Sequence, residues 1–336
     1  MDCPYCYVKP REQTGQELEI KDWLELSRKL LVKFSGRHMH IHMAGGEVFI
    51  KAGILDVVRL WLENSIPVTV VSNGVSLPEE IFNDACFKIS SGLFTLEVSI
   101  DGLKEEHELM RRDFRAVMGN FQRILQSNID TTVRTTVHRG NLRGMLDFHN
   151  YLNSVGRSAG SVIPIDLQPV MEFPQGGRLG FDEIRLDLRD YLEEGVKVSK
   201  YSEENLKFVD SKWVFVEEWM GLNKIPEYIP IEGAFYGCSS GHNLQFMANG
   251  DVSSCEMALP FFRLGSNTSE DEINLLAERL DRKLIPQKRC FECCYRSVCG
   301  MCRLAPEVHG YTRGFGFEDC TSLMKAIWDF YQERVQ

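Results

Sequence analysis

No stretch of the 336 residues approaches the roughly 20 consecutive apolar positions that a bilayer-crossing helix needs. The amino terminus also lacks a basic segment followed by an apolar one, so no secretory signal is read there. Runs of Lys and Arg are missing too: 38 basic residues stand against 48 acidic ones, for a formal charge of −10. Without a concentrated positive patch, neither nucleic acid nor a membrane surface is expected as a partner. Together these absences lead to the expectation of a soluble, cytoplasmic protein. Cysteine is scarce through the first 237 residues, which hold three, while the remaining eight of the eleven lie at or after position 238. In a reducing compartment such local crowding points to metal binding rather than to disulfides.

What is present is enough apolar residue, 43% of the chain, to bury a large domain and a smaller one. From Glu17 to Phe34 the residues Ile20, Trp23, Leu24, Leu30, Leu31 and Phe34 recur at helical spacing, and Gly36 supplies a stop. Strand-like segments then alternate with helical ones. His38 to Met43, Pro67 to Val71, Leu93 to Ile100, Thr131 to His138 and Val162 to Leu167 read as strands. Ala52 to Leu62, Pro78 to Phe87, Lys104 to Leu125 and Leu142 to Leu152 read as the helices between them. Repeating βα units of this length imply an α/β fold with a parallel sheet, open or curved into part or all of a barrel. Two further helices are expected over Asp182 to Leu192 and Glu203 to Met220, followed by a stretch rich in Gly and Pro. The domain boundary is placed there, giving residues 1–225 and 226–336. Beyond it only Glu272 to Leu284 and Ser322 to Tyr331 have helical periodicity, so the small domain needs metal to hold it together.

Chemistry-bearing residues fall at the carboxyl ends of successive strands, where parallel α/β folds bind ligands. Ala44-Gly45-Gly46-Glu47 pairs glycines that let the backbone approach a ligand with a carboxylate that accepts from an ammonium group. Ser72-Asn73-Gly74 and Ser99-Ile100-Asp101-Gly102 end the next two strands, and Arg134 in the following one is a partner for a carboxylate. An amine acceptor, hydroxyls for a ribose and a cation for a carboxylate together suit an amino-acid-bearing nucleoside. Cys3 and Cys6 form a CxxC pair in a loop before the first helix, a pattern shared by zinc knuckles and redox dithiols. His38, His40 and His42 alternate along one face of a strand, a pattern read as a side packed by helices rather than as a metal site. Cys86 reads as a small buried hydrophobe.

In order and spacing over about 170 residues, Cys3-Pro4-Tyr5-Cys6-Tyr7, Gly45-Gly46-Glu47, Ser72-Asn73-Gly74 and Ser99-Ile100-Asp101-Gly102 resemble the signatures of the radical S-adenosylmethionine (radical SAM) family. The resemblance implies a partial (βα)6 TIM-like barrel. It implies a [4Fe–4S] cluster held by a CxxxCxxC loop, with S-adenosyl-L-methionine chelated to the open iron. An electron, from a donor such as a flavodoxin or ferredoxin, then cleaves the sulfonium to a 5′-deoxyadenosyl radical. On the same resemblance Cys3 and Cys6 are the second and third cluster ligands, Tyr5 lies beside the adenine, and Glu47 binds the methionyl amine. Ser99 is then assigned to the ribose and Arg134 to the carboxylate, with Gly45, Gly46, Ser72 and Asn73 completing the cofactor site. The first cysteine of the motif falls two residues before Met1, and Val48 stands where the family commonly has proline.

Cys238, then Gly250 and Cys255 on a hairpin around Asn249-Gly250, then Cys290, Cys293, Cys299, Cys302 and Cys320 resemble the SPASM domain that follows many radical SAM barrels. That resemblance implies auxiliary [4Fe–4S] clusters, one held by Cys290, Cys293, Cys299 and Cys320, another by Cys238, Cys255 and Cys302. Cys299 and Cys302 are separated by two residues where the family has three, and Cys294 is an extra thiol, so these two roles stay open. Read without the resemblance, two CxxC pairs also suit a tetrahedral zinc site.

The expected function is that of a radical SAM oxidoreductase or maturase acting on a peptide or protein side chain. The alternative is a catalytically impaired metal-binding or interaction protein with a structural zinc or iron–sulfur tail. No residue is named as a catalytic acid or base. A reading frame extended upstream is expected to supply a cysteine two residues before Met1. Sequencing the upstream nucleotides checks this, and an in-frame stop codon with no cysteine between defeats it.

Overall fold

A computed structural model describes residues 3–6, 17–89, 92–127, 129–170, 181–213, 216, 245–253, 262–265, 267–281, 315–317 and 320–335. The chain divides into two compact units. The first draws on Met1–Lys9, His40–Met220 and Arg313–Gly316.

This unit is a six-stranded parallel sheet: β1 (Ile41–Met43), β2 (Val68–Ser72), β3 (Phe94–Ser99), β4 (Asp130–Val137), β5 (Ile163–Pro169) and β6 (Val209–Trp213), paired in chain order. Right-handed crossovers that always step the same way put every helix on one side of a sheet. A doubly wound sheet would need its order to reverse, and this one does not. The result is the partial barrel expected, with β1 and β6 as its two edges.

The outer face carries the aliphatic residues. Val68, Val70, Phe94, Leu96, Val98, Val133, Ile163, Ile165 and Leu167 are almost wholly buried. They face Val58 and Trp61 of α2 (Ile54–Glu63), Val117 and Phe121 of α6 (Phe114–Gln126), Phe148 and Leu152 of α7 (Met145–Ala159) and Leu192 of α9 (Leu188–Asn205). Alternate residues turn the other way and are polar: Thr95 and Glu97, Thr132 and Arg134, Asp166 and Gln168 are all half-buried. Period-2 alternation thus separates a packed side from an open one.

Three expected helices are divided. Pro78 to Phe87 becomes α3 (Glu79–Asn83) and α4 (Ala85–Ile89), separated where extended Asp84 accepts from the Cys86 N–H at 2.8 Å and from Arg59 Nε at 2.8 Å. Lys104 to Leu125 becomes α5 (Lys104–Met110) and α6, with extended Arg111 and left-handed Asp113 between them. Asp182 to Leu192 becomes α8 (Phe181–Ile184) and α9, the latter capped by Asp187, which accepts from the Asp190 N–H at 3.0 Å.

The helix expected over Glu203 to Met220 is corrected. After α9 ends at Asn205, residues 209–213 form β6, whose Val209 and Trp213 are buried while Asp210 and Lys212 are exposed. Pairing with the edge of β5, Ile163 opposite Val209, satisfies backbone groups that a helix would have satisfied internally. Of residues 214–220 only Val216 lies within the described part. Cys86 is half-exposed rather than buried. His40 and His42 are exposed on the face away from the helices, not packed beneath them.

The second unit draws on Pro10–Met39, Gly221–Thr312 and Phe317–Gln336. Its described parts are α1 (Ile20–Lys33), the antiparallel strands β7 (Gln245–Phe246), β8 (Asp251–Ser253) and β9 (Phe262–Arg263), and helices Glu270–Asp281 and Cys320–Val335. The hairpin around Asn249-Gly250 forms as expected, with the Met247 N–H donating to Asp251 O at 2.7 Å. Lys29 Nζ reaches Thr268 O at 2.9 Å, and Trp23 meets Phe246 edge-on with ring centres 6.4 Å apart. Among the described residues no helix is long and apolar enough to cross a membrane.

Buried His149 on α7 gives the barrel a pH dependence. Its Nδ1 meets Met145 O at 2.7 Å, so Nδ1 carries the proton, and among the described residues Nε2 has no hydrogen-bond partner. Burial pushes its pKa down from 6.5 to about 4. The unfolded chain takes up the proton first, so the neutral ring's contribution is complete above the unfolded value and is lost as pH falls toward the folded one. Urea midpoints are expected to fall between about pH 6.5 and pH 4, and less steeply in His149→Phe. Equal slopes in the two proteins would contradict this.

Candidate functional site

The groups at the carboxyl ends of β1 to β4 are tied together by hydrogen bonds. Gly45 follows β1 with φ +156°, a conformation that disfavours a side chain, and among the described residues nothing lies within 4 Å of where a Cβ would project at Gly45 or Gly46. Glu47 comes next and caps a short 3-10 turn, Val48–Ile50, by accepting from the Phe49 N–H at 3.3 Å. Its carboxylate also accepts from Ser72 Oγ at 2.9 Å and from the Asn73 N–H at 2.7 Å. Burial pushes the Glu47 carboxyl up, against the pull of those donors.

Ser72 is therefore a relay: it donates to Glu47 while accepting from the Gly74 N–H at 3.0 Å. Asn73 turns its side chain back to the Val75 N–H at 2.8 Å. Gly74, at φ +72°, has no room for a side chain, because a Cβ would sit 2.8 Å from Val98 Cγ1. The turn after β2 is thus pressed onto β3 and aims two donors at Glu47.

Across the open face runs a chain of charges. Glu97 accepts from Arg134 Nη1 at 2.8 Å and lies 3.6 Å from His42 Nε2. Arg134 Nη2 is 3.6 Å from Asp166, which accepts from Gln168 Nε2 at 2.9 Å. Burial would raise the Glu97 carboxyl, but His42 and Arg134 outweigh it and hold the group below the usual range. Ser99 sits opposite Arg134 in the β3–β4 register and is nearly buried. A ligand carboxylate at Arg134 would share the guanidinium with Glu97 and Asp166.

A third group centres on Asp101, which is fully buried just past β3. One carboxylate oxygen accepts from the Tyr5 hydroxyl and from Arg111 Nε, the latter at 2.7 Å. The other accepts from the Thr136 N–H at 3.0 Å. Burial alone would raise this carboxyl, yet Arg111, with Tyr5 and Thr136, holds it below the usual range. The Arg111 guanidinium stands 5.5 Å over the Tyr5 ring, and His138 lies 6.3 Å from that ring, centre to centre. On either side of Tyr5, Cys3 and Cys6 are half-buried, joined by the Cys6 N–H donating to Cys3 O at 3.0 Å. Burial pushes the Cys3 thiol up, and Arg111 pulls it down.

The structure thus joins Glu47 with Ser72 and Asn73, sets Ser99 across from Arg134, and ties Tyr5, between Cys3 and Cys6, to Asp101. Among the described residues no group of three or more His, Cys, Asp or Glu is placed to hold a metal ion. Cys238, Cys255, Cys290, Cys293, Cys294, Cys299 and Cys302 lie outside the described residues, and of Cys320 only its place at the start of the last helix is described. Sequence reasoning missed Glu97, Asp166 and Gln168, although strand alternation would have set them on the open face with Arg134. It also missed Arg111 and His138; nothing local in the sequence says that Arg111 turns back toward Asp101.

Residues 1–151, a little under half of the chain, match the Radical SAM superfamily model. Among solved structures, the chain is similar to native anSMEcpe with bound AdoMet and Cp18Cys peptide, with a TM-score of 0.66 at 14% identity over 99% of this chain and 93% of that one. It is also similar to SuiB of Streptococcus suis, with a TM-score of 0.67 at 14% identity over 95% of this chain and 73% of that one. SuiB bound to its precursor peptide SuiA gives 0.66 at 15% identity, over 90% and 68%. At such identities the likeness shows the fold. No protein of curated function matches the chain in sequence.

Proposed function

We propose that the chain is a radical SAM enzyme that modifies a peptide or protein side chain. The observation that carries this is the set of strand-end groups, Glu47 held by Ser72 and Asn73, Ser99 facing Arg134, and the Cys3–Cys6 turn at Asp101, within residues that match the Radical SAM superfamily model. Cys3 and Cys6 fit two of the thiolate ligands of a [4Fe–4S] cluster: both are partly accessible and held in one turn. When bound, a reduced cluster supplies the electron that cleaves S-adenosylmethionine to a 5′-deoxyadenosyl radical.

The protein's own residues bind and orient. Glu47, fixed by Ser72 and Asn73, offers its carboxylate to the methionyl amine, with Gly45 and Gly46 leaving open space beside it. Ser99 serves the ribose, Arg134 the carboxylate, and Tyr5 the adenine. Residues 226–336 are proposed as an auxiliary iron–sulfur domain of SPASM type. In it Cys290, Cys293, Cys299 and Cys320 hold one cluster and Cys238, Cys255 and Cys302 contribute to another. A peptide substrate is supported by similar folds solved with peptides, Cp18Cys in one and SuiA in another.

Anaerobic reconstitution of the chain extended upstream to include the first motif cysteine, followed by dithionite and S-adenosylmethionine, is expected to yield 5′-deoxyadenosine. Zinc in place of iron and sulfide, or clusters without that product, would overturn the proposal. Glu47→Gln should weaken S-adenosylmethionine binding by about tenfold or more, the size of one charge-assisted hydrogen bond, as read by equilibrium dialysis.

A further inference from the structure

Asp101 has no role in the cofactor contacts assigned above, yet it is among the most heavily bonded side chains described. Burying a carboxylate and a guanidinium together is costly unless further hydrogen bonds complete both. Here they do. Arg111 Nε and the Thr136 N–H hold the carboxylate at 2.7 and 3.0 Å. The backbone is held as well: Asn141 Nδ2 donates to Asp101 O at 2.7 Å, and the Asp101 N–H donates to His107 Nδ1 at 3.3 Å. Every one of these partners comes from β4, α5 or the segments that follow them, so the acceptor is built by the barrel. From the cysteine turn, the Tyr5 hydroxyl bonds to it.

The geometry points to Asp101, braced by Arg111, as the anchor that docks the Cys3–Cys6 turn on the barrel through the Tyr5 hydroxyl. This rests on the cluster reading above for its purpose and not for its geometry. Tyr5 is one residue from Cys6 and two from Cys3, and those two are closed into a turn by their own backbone bond. Pinning the ring by its hydroxyl, with the guanidinium 5.5 Å over its face, sets both thiols relative to the ends of β3 and β4 before any cluster arrives. Ordering the turn in advance removes an entropic cost from cluster assembly. Asp101 and Arg111 are positioning residues here, acting through Tyr5.

Tyr5→Phe tests this while keeping both Asp101 and Arg111 and the bond between them, so the barrel is expected to fold. In the full chain without iron, hydrogen–deuterium exchange over residues 3–6 should quicken by about tenfold, the factor set by one hydrogen bond to a charged group. Exchange in Val68–Ser72 should stay unchanged. After reconstitution, the variant should lose its cluster absorbance to a chelator faster by a similar factor, with the melting temperature of the barrel preserved. Unchanged exchange over residues 3–6 overturns the anchor, whatever the iron content. Faster exchange in a chain that takes up no iron upholds the anchor and removes the cluster reading instead.

Discussion

Six parallel strands laid down in chain order, with crossovers of one hand, leave half of their sheet without helices. This single constraint arranges everything else in the unit. The outer face must be apolar to meet α2, α6, α7 and α9, and its residues are buried to a few per cent or less. The inner face is polar instead, and His42, Glu97, Arg134 and Asp166 run across it as a line of charges. The strand ends then converge on one rim, and the groups that follow β1, β2 and β3 become neighbours.

Two kinds of rigidity operate on that rim. Around Glu47 the donors are short-range and neutral, a serine hydroxyl and a backbone N–H from the end of β2, and they orient a carboxylate that keeps open space beside its glycines. Around Asp101 the bonds are charged and buried, linking the end of β3 to a guanidinium, a strand amide and a tyrosine from the cysteine turn. The first arrangement leaves a carboxylate available to a ligand. The second consumes its carboxylate in structure. Their partners explain the opposite displacements of the two carboxyls: Glu47 has only neutral donors and goes upward because desolvation dominates, while Asp101 goes downward because Arg111, with Tyr5 and Thr136, overrides its burial.

Much of the barrel was legible in the sequence because its strands are short, β-branched and separated by helices of strong period. The misreadings share a cause. At 203–220 the apolar residues Leu206, Val209 and Trp213 suit a helical face, but Val209, Ser211 and Trp213 also suit one side of a strand, and the unpaired edge of β5 decided between them. At 104–125 the helical pattern is continuous, yet extended Arg111 and left-handed Asp113 interrupt it, and from the end of α5 the Arg111 side chain reaches Asp101. A local pattern does not register a partner supplied from elsewhere in the fold.

The sequence by itself determined the order of elements, the strand-end motifs Gly45-Gly46-Glu47, Ser72-Asn73-Gly74 and Ser99-Ile100-Asp101-Gly102, and the pair Cys3 and Cys6, since each is a matter of neighbours along the chain. Only the tertiary structure decided that Tyr5 bonds to a residue 96 positions away, that Arg134 lies between Glu97 and Asp166, and that Ser72 serves Glu47. Those pairings follow from strand register and from the side to which each residue points. A one-residue slip in register would turn every inner side chain outward, so no window of sequence contains them.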